Sequence, residues 1–184
     1  MRVFDWDKTI YDGDSSFGFI CYLLWKRPKT WIKIPCILVF GLGYGLGLVK
    51  KQVFKEQLFS MFQFVSDMPS ITKEFCEHHL NHVKSFYQVE TGDVIISASP
   101  EFLVKEFAQL LGIQEVMGSP VDIHTGKYSG LNCHGEEKVR RFYEKYPEGT
   151  ISEFYSDSLS DAPLANLSRQ AYLVKKNTLV EWPK

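Results

Sequence analysis

The second half of the chain alternates short apolar runs with amphipathic segments, and this alternation restricts the fold more than any other feature. The runs and the helical patterns between them are, in order, residues 93–100, 101–111, 115–118, 136–146, 150–156, 162–167 and 170–174. Short, continuously apolar runs are typical of buried parallel strands. Strands alternating with helices predict an α/β fold built on a doubly wound parallel sheet.

A further short strand is predicted at the start of the chain, over residues 1–7, and it ends at Asp5 and Asp7. Side chains two positions apart on an extended strand leave the same face, so the two carboxylates would point the same way. Two like charges this close repel each other, and a hard divalent cation relieves the repulsion. The pair therefore predicts a cation site, most simply for Mg2+.

Helical patterns dominate between this first strand and residue 93. They cover residues 17–25, 52–67 and 70–88, with apolar side chains at helical spacing. The pattern predicts two units: a catalytic core made of residues 1–15 and 85–184, and a helical cap of residues 16–84 inserted after the first strand. Residues 121–131, with Gly126 at their middle, read as a hairpin in the core.

Residues 34–49 form an uncharged run of sixteen residues with four alternating glycines. The run does not match a dinucleotide-binding G-x-G-x-x-G loop, and it is shorter than the roughly 20 apolar residues that span a bilayer. Basic residues flank it on both sides. Two interpretations remain open: a buried or partner-covered helix pair in the cap, or peripheral contact of residues 31–51 with an anionic membrane surface.

Composition restricts the remaining function classes. The 184 residues carry a formal net charge of −1, which gives no electrostatic basis for binding nucleic acid. The four cysteines, Cys21, Cys36, Cys76 and Cys133, show no C-x-x-C spacing and are predicted to be reduced packing residues. A strand-like, charged opening argues against a signal peptide. We expect a cytoplasmic protein, with association to a membrane surface left open.

Two histidines invite a metal-site hypothesis. His78 and His82 lie four residues apart on a predicted helix, where they could share a metal ion. The glutamate of an H-E-x-x-H motif is absent, so a solvated helix face is the preferred interpretation.

Polar side chains follow three of the predicted strands, where ligands bind in open α/β sheets. Asp5 and Asp7 end the first strand, Ser97 ends another, and Asp157 with Asp161 follows a third; Lys138 lies near a helix start. Each residue alone is more typical of a turn, a cap or a solvated helix. Together, a hydroxyl, an amine and several carboxylates in this order predict a phosphoryl-transfer site.

The residue types also predict a division of roles. Asp5 would attack phosphorus, and Asp7 would protonate the leaving oxygen and then activate water. Ser97 and Lys138 would hold the phosphoryl oxygens. Asp157 would complete the Mg2+ shell, and Asp161 would orient that shell from behind.

Four motifs make the chain resemble the haloacid dehalogenase superfamily of phosphohydrolases. They are Asp5-Trp6-Asp7-Lys8-Thr9, the strand ending at Ser97, Lys138 in the stretch 132–138, and Asp157-Ser158-Leu159-Ser160-Asp161. The resemblance implies Asp5 as nucleophile and Asp7 as acid and base. It implies Mg2+ held by Asp5, the carbonyl of Asp7 and Asp157. It places Ser97, Ala98 and Lys138 on the phosphate, with Thr9 and Asp161 supporting the site.

The helical insertion and the hairpin near Gly126 look like the phosphoserine phosphatase-like branch with a helical cap. Residues 97–100 and 132–138 look similar to members that include bacterial phosphatidylglycerophosphate phosphatases. Ser15-Ser16-Phe17 stands where phosphoserine phosphatases usually carry a substrate-reading glutamate, and the fourth motif departs from Gly-Asp-Gly-x-Asn-Asp. These departures argue against phosphoserine as the substrate.

The expected function is hydrolysis of a small-molecule or lipid phosphomonoester, dependent on Mg2+ and proceeding through an aspartyl-phosphate. Three alternatives remain: phosphoryl transfer to an alcohol acceptor, a phosphoserine phosphatase, and a non-catalytic membrane-surface binding protein of the same fold. The sequence makes no prediction of the oligomeric state.

Overall fold

The computed structural model describes residues 1–183, and six strands form its single sheet. The strands are β1 (Arg2–Phe4), β2 (Val94–Pro100), β3 (Glu115–Ser119), β4 (Ile151–Ser156), β5 (Ser168–Lys175) and β6 (Thr178–Glu181). Their order across the sheet is β3-β2-β1-β4-β5-β6. The first five pair in parallel and β6 pairs antiparallel with β5. The predicted α/β fold with a doubly wound parallel sheet is confirmed.

Four of the helices lie between β1 and β2 in the chain, and three follow β2. They are α1 (Ser15–Lys26), α2 (Ile34–Gly45), α3 (Lys51–Phe59), α4 (Met68–His78), α5 (Glu101–Leu111), α6 (Glu136–Lys145) and α7 (Ala162–Ala165). Short 3-10 turns cover Pro28–Lys33, Ser60–Phe64, Leu80–His82 and Leu159–Asp161. Residue 184, the last of the predicted core range, lies outside the described residues.

Strand β1 lies at the centre of the sheet, and its two apolar side chains enter different cores. Phe4 belongs to a buried cluster with Phe19, Phe75 and Phe107, which come from α1, α4 and α5. Val3 belongs to a second cluster that includes Phe142 of α6. Successive strand residues point to opposite faces, so a strand with helices on both sides is apolar throughout. The short run before Asp5 is thereby fixed in the middle of the molecule.

The two helices predicted at 52–67 and 70–88 are shorter than expected. After Phe59 and after His78 the chain continues in the 3-10 turns, and residues 83–88 are not helical, so the prediction for them is wrong. The cause is tertiary. The amide of Lys84 donates to the carbonyl of Ile10 at 2.8 Å, and its buried ammonium donates to the carbonyls of Lys8 and Lys176.

The hairpin predicted over residues 121–131 is also wrong in detail. A single bridge joins Val121 and Tyr128, and the residues between form a tight loop without paired strands. Gly126 has φ +73°, and a Cβ there would lie 2.1 Å from the carbonyl oxygen of Phe59. The loop therefore packs directly against the end of α3, which requires glycine at this position.

Helix α2 occupies most of the uncharged run, and none of its residues is buried. The interpretation of this run as a buried helix pair is therefore wrong for α2. Cover by a partner and contact with a membrane stay predictions. Within residues 1–183, none of the helices combines the length and the apolar content needed to cross a bilayer.

The cysteines divide into two groups. All four are free; Cys76 and Cys133 are buried as predicted, while Cys21 and Cys36 are exposed, so the packing prediction is wrong for those two. His78 and His82 are exposed, as expected for a solvated surface.

Candidate active site

The chemistry-bearing residues meet at the carboxyl ends of the central strands. Asp5 follows β1 directly, and its amide donates to the carbonyl of Tyr155 in β4 at 2.9 Å. This bond fixes the backbone at the first carboxylate. Asp5, Asp7, Ser97, Lys138 and Asp157 all line one cavity of about 530 Å³. The structure thus brings together residues that the sequence separates by up to 152 positions (157 minus 5).

Lys138 connects two carboxylates at the floor of this cavity. It is only 2% exposed, and its Nζ lies 2.7 Å from Asp5 Oδ1 and 2.7 Å from Asp161 Oδ2. Asp161 Oδ2 also accepts from the Ser156 hydroxyl at 2.7 Å. The contacts of Asp161 are therefore with Lys138 and Ser156, which makes it a support for the lysine.

Burial and neighbouring charges shift the pKa values of Asp5 and Lys138 in opposite directions. Burial raises the pKa of Asp5 to about 7 although the ammonium of Lys138 favours the carboxylate form. Burial alone would lower the pKa of Lys138, but the charges of Asp5 and Asp161 outweigh it and the net shift is upward. Lys138 therefore stays a cation beside Asp5.

Asp7 is held by the start of α1 and by the C-terminal end of β2. Its Oδ1 accepts from the amide of Ser15 at 2.6 Å, and its Oδ2 accepts from the hydroxyl of Ser99. The Ser99 hydroxyl also lies 2.7 Å from that of Ser16. Burial raises the pKa of Asp7, and Asp14 adds to the shift. Ser99 and Ser16 were not predicted as site residues, although both belong to polar stretches next to predicted motifs.

Thr9 links the first carboxylate to the loop after β4. Its hydroxyl lies 3.5 Å from Asp5 Oδ2 and accepts from the amide of Asp157 at 2.9 Å. Thr9 is fully buried. It can therefore fix the spacing between Asp5 and Asp157.

The residues present fit a magnesium ion. Within the described residues, 1–183, no three side chains of Asp, Glu, His or Cys form a metal-binding group. Mg2+ does not need one, because it takes one or two carboxylates, keeps several waters, and accepts carbonyl oxygen. Asp5, Asp157 and the Asp7 carbonyl are oxygen donors of this kind. Burial raises the pKa values of Asp5 and Asp157, a cost that a cation would relieve.

The last residues of β2 carry the other predicted phosphate contacts, because the strand continues to Pro100 and does not end at Ser97 as predicted. Ser97 is 1% exposed, and its hydroxyl accepts from the amide of Ser99 at 3.1 Å. The Ala98 carbonyl accepts from Ser119 Oγ at 2.9 Å and from Lys55 Nζ at 2.9 Å. Ser97 and Ala98 are therefore held in place by hydrogen bonds from Ser99, Ser119 and Lys55.

Helices α2 and α3 form the opposite wall of the cavity. They contribute Ile37, Tyr44, Lys51, Phe54 and Lys55. The rings of Tyr44 and Phe54 stack at 5.3 Å with planes 4° apart. Lys55 also reaches Asn132 Oδ1 at 3.3 Å, and burial lowers its pKa to about 8, with repulsion by Lys51 adding to the shift. Helical spacing alone offers no reason to single out Lys55.

Comparison with known proteins identifies the class. Residues 3–166 match the family model of the haloacid dehalogenase-like hydrolases, and the chain belongs to this family. It is 24% identical to a histidinol-phosphatase of Neisseria meningitidis over 205 aligned positions, which cover 98% of this chain and 92% of that protein.

Two solved structures share the fold. A Bordetella pertussis protein of unknown function superposes with a TM-score of 0.68 at 18% identity, covering 93% of this chain and 87% of its own. A phosphoserine phosphohydrolase-like protein of Francisella tularensis gives a TM-score of 0.52 at 18% identity, covering 93% and 86%. These two structures show the fold alone; the family match and the curated phosphatase relatives make the chain a phosphatase of the haloacid dehalogenase type. Phosphatases of this family generally use Mg2+.

Proposed function

We propose that the protein is a Mg2+-dependent phosphomonoesterase that works through an aspartyl-phosphate on Asp5. The observation that carries this proposal is the pairing of Asp5 with a buried lysine. The Asp5 carboxylate lines the cavity while its Oδ1 is 2.7 Å from Lys138 Nζ. One oxygen is thus oriented by the lysine, and the other is available for attack on phosphorus.

The reaction has two displacements. In the first, an Asp5 oxygen bonds to phosphorus and the bond to the leaving oxygen breaks, while Asp7 gives that oxygen a proton. In the second, Asp7 takes a proton from water, and the water oxygen displaces Asp5 as phosphate leaves. The raised pKa of Asp7 supports its proton-carrying role, because a buried carboxyl holds its proton nearer to neutral pH.

The surrounding residues stabilise charge and geometry. Ser97, the backbone at Ala98, and Lys138 would hold the phosphoryl oxygens. Asp161 would position Lys138, and Thr9 would hold the loops of Asp5 and Asp157 together. Asp5, Asp157 and the Asp7 carbonyl would hold Mg2+, which when bound supplies positive charge that neutralises the phosphoryl oxygens.

The wall of the cavity supports a cap role for residues 16–84 and a core role for residues 1–15 and 85–184.

The wall of the cavity also supports a substrate whose alcohol part is partly apolar. Phe54, Tyr44 and Ile37 offer apolar contact, and Lys51 and Lys55 offer positive charge. Ser16 and Phe17 line the cavity where phosphoserine phosphatases usually carry a glutamate. We therefore propose a small-molecule or lipid phosphate, on a phosphoserine phosphatase-like architecture.

Phosphate release tests the proposal directly. The purified protein is expected to hydrolyse p-nitrophenyl phosphate in the presence of Mg2+. EDTA should lower the rate at least about 100-fold, and added Mg2+ should restore it. Unchanged turnover in EDTA would contradict the metal requirement.

A screen of histidinol phosphate, phosphoserine, sugar phosphates, nucleotides and lipid phosphates then ranks substrates. Release of alcohol without equal phosphate, in the presence of a second alcohol, would indicate phosphoryl transfer.

Lys55 gives a pH-dependent prediction. Its pKa is lowered to about 8, so it is mainly charged at pH 7 and loses its charge as pH rises past about 8. We expect KM for an anionic substrate to rise severalfold between pH 7 and pH 9, with a smaller change in kcat. Lys55→Met is expected to show the raised KM at both pH values. Lys73→Met, at an exposed lysine of α4, serves as the matched control. A Lys55→Met variant with the wild-type pH profile would refute the assignment.

A further inference from the structure

The outer surface of α2 and the turn that follows it is apolar and uncovered. Its side chains, here called the apolar α2 face, are between 65% and 81% exposed: Leu38, Val39, Leu42, Leu46 and Leu48. Trp31 and Ile32, just before the helix, are 59% and 69% exposed. Single exposed leucines are ordinary, but a contiguous group of this kind marks a surface that binds something.

The glycines explain why the large side chains point outward. A Cβ on Gly41 would lie 3.3 Å from the ring of Phe54, and a Cβ on Gly43 would lie 2.8 Å from Val49. The glycine side of α2 thus allows close packing against α3 and against Val49, which lies just before α3. Ile37 and Tyr44 line the cavity. The leucines occupy the side that remains, so their exposure follows from the packing of the helix.

The charge around this face is one-sided. Residues 15–55 contain seven lysines and arginines and no aspartate or glutamate. The rest of the chain therefore holds 14 basic and 22 acidic residues, a net charge of −8 against +7. Lys29 and Lys50, on either side of α2 in the chain, are exposed. In the structure Lys26 pairs with Glu74 and Arg27 pairs with Asp67, whereas Lys51 and Lys55 line the cavity. This leaves Lys29, Lys33 and Lys50 on either side of α2 in the chain. An apolar surface flanked by these lysines is complementary to an anionic, apolar partner.

We propose that the apolar α2 face docks on the surface of an anionic phospholipid bilayer. Twelve helical residues extend about 18 Å, well short of the roughly 30 Å of a hydrocarbon core, so α2 would lie in the interface plane. The leucines enter the boundary between headgroups and acyl chains, and the lysines contact lipid phosphates. A second copy of the chain is a poor occupant, because pairing through this face would bring together the lysines that flank α2 in both copies, Lys29, Lys33 and Lys50.

Docking would also bring a wall of the cavity to the membrane. The helix that exposes Leu42 also lines the cavity with Ile37 and Tyr44. The docking proposal does not depend on the catalytic one, since neither Leu42 nor Leu46 lines the cavity.

Vesicle co-sedimentation tests the inference. The full chain is expected to pellet with vesicles of equal parts phosphatidylglycerol and phosphatidylcholine, and much less with phosphatidylcholine alone. Raising salt from about 0.1 M to about 1 M should release it, because the Debye length falls from about 10 Å to about 3 Å. Leu42→Glu is expected to lower binding at least about tenfold by placing a charge in the docked face. Leu167→Glu, at an exposed leucine just before β5, should bind as wild type.

The controls separate docking from folding. Leu42→Glu should keep the wild-type circular dichroism spectrum and turnover of soluble p-nitrophenyl phosphate. If it does not fold, a Lys29→Gln and Lys50→Gln double variant replaces it and is expected to lower binding to the anionic vesicles severalfold. Equal pelleting of wild type and variants, pelleting of neither, or a dimer in solution that Leu42→Glu dissociates, would each overturn the proposal.

Discussion

Asp5→Asn is expected to lower kcat for p-nitrophenyl phosphate at least about 1,000-fold. The amide has nearly the shape of the carboxylate and can still accept from Lys138, but it is a poor nucleophile and cannot form the acyl-phosphate. Because the side chain is small and the buried Lys138–Asp161 pair remains, the variant should fold. Phosphate release under saturating substrate and Mg2+ measures the effect, with thermal unfolding as the check on folding.

Asp12→Asn is the matched control for this prediction. Asp12 lies seven residues further on, is exposed, and does not line the cavity. Its variant should keep activity within about twofold, as expected of a surface substitution. Beryllofluoride, which mimics the phosphoryl group on a carboxylate, should bind wild type in the presence of Mg2+ and fail to bind Asp5→Asn. Wild-type turnover by Asp5→Asn would refute the nucleophile assignment.

The sheet and much of the site could be predicted because their signals are local. Each central strand contains a short apolar run that is followed by a polar residue, and this pattern can be recognised within a few positions of the sequence. Parallel strands bring their carboxyl ends to one edge, so Asp5, Ser97 and Asp157 could be expected together before any contact was known. The cavity that all three line is the structural counterpart of this expectation.

The supporting contacts could not be predicted, because each joins distant parts of the chain. Ser99 reaches Asp7 across 92 positions, and Lys55 reaches the Ala98 carbonyl across 43. Similarly, the buried contacts of Lys84 end the helical pattern after residue 82. Helical spacing reports which faces are apolar, but it does not report which polar side chain finds a partner in another element.

The hydrophobicity of the sequence also did not show whether α2 is buried or exposed to solvent. The uncharged run 34–49 has the composition of a buried helix, yet α2 has no buried residue. The difference arises from the glycines, which let α2 approach α3 on one side and leave the leucines on the other. Burial is a property of the neighbours of a helix, so the run alone could not show it.

Lys138→Met is expected to lower the free energy of unfolding by about 3–5 kcal/mol in metal-free buffer, and to lower kcat at least about 100-fold in Mg2+. Methionine fills much of the volume of the lysine side chain but leaves Asp5 and Asp161 in a buried site without their cation. Lys145→Met, on the same helix, removes a partly exposed pair with Glu115 and should cost no more than about 1 kcal/mol.

The pH dependence of this loss distinguishes an electrostatic role from a packing role. In wild type the folded-state pKa of Asp5 is about 7, above its unfolded value of about 3.9, so stability falls as pH rises between these values. Lys138 opposes this shift, and without it the folded-state pKa rises further. The deficit of Lys138→Met should therefore be smaller at pH 5 than at pH 8, measured by urea unfolding in EDTA. If the loss in free energy of unfolding is equal at both pH values, Lys138 stabilises the site by packing, and its charge does not stabilise the Asp5 carboxylate.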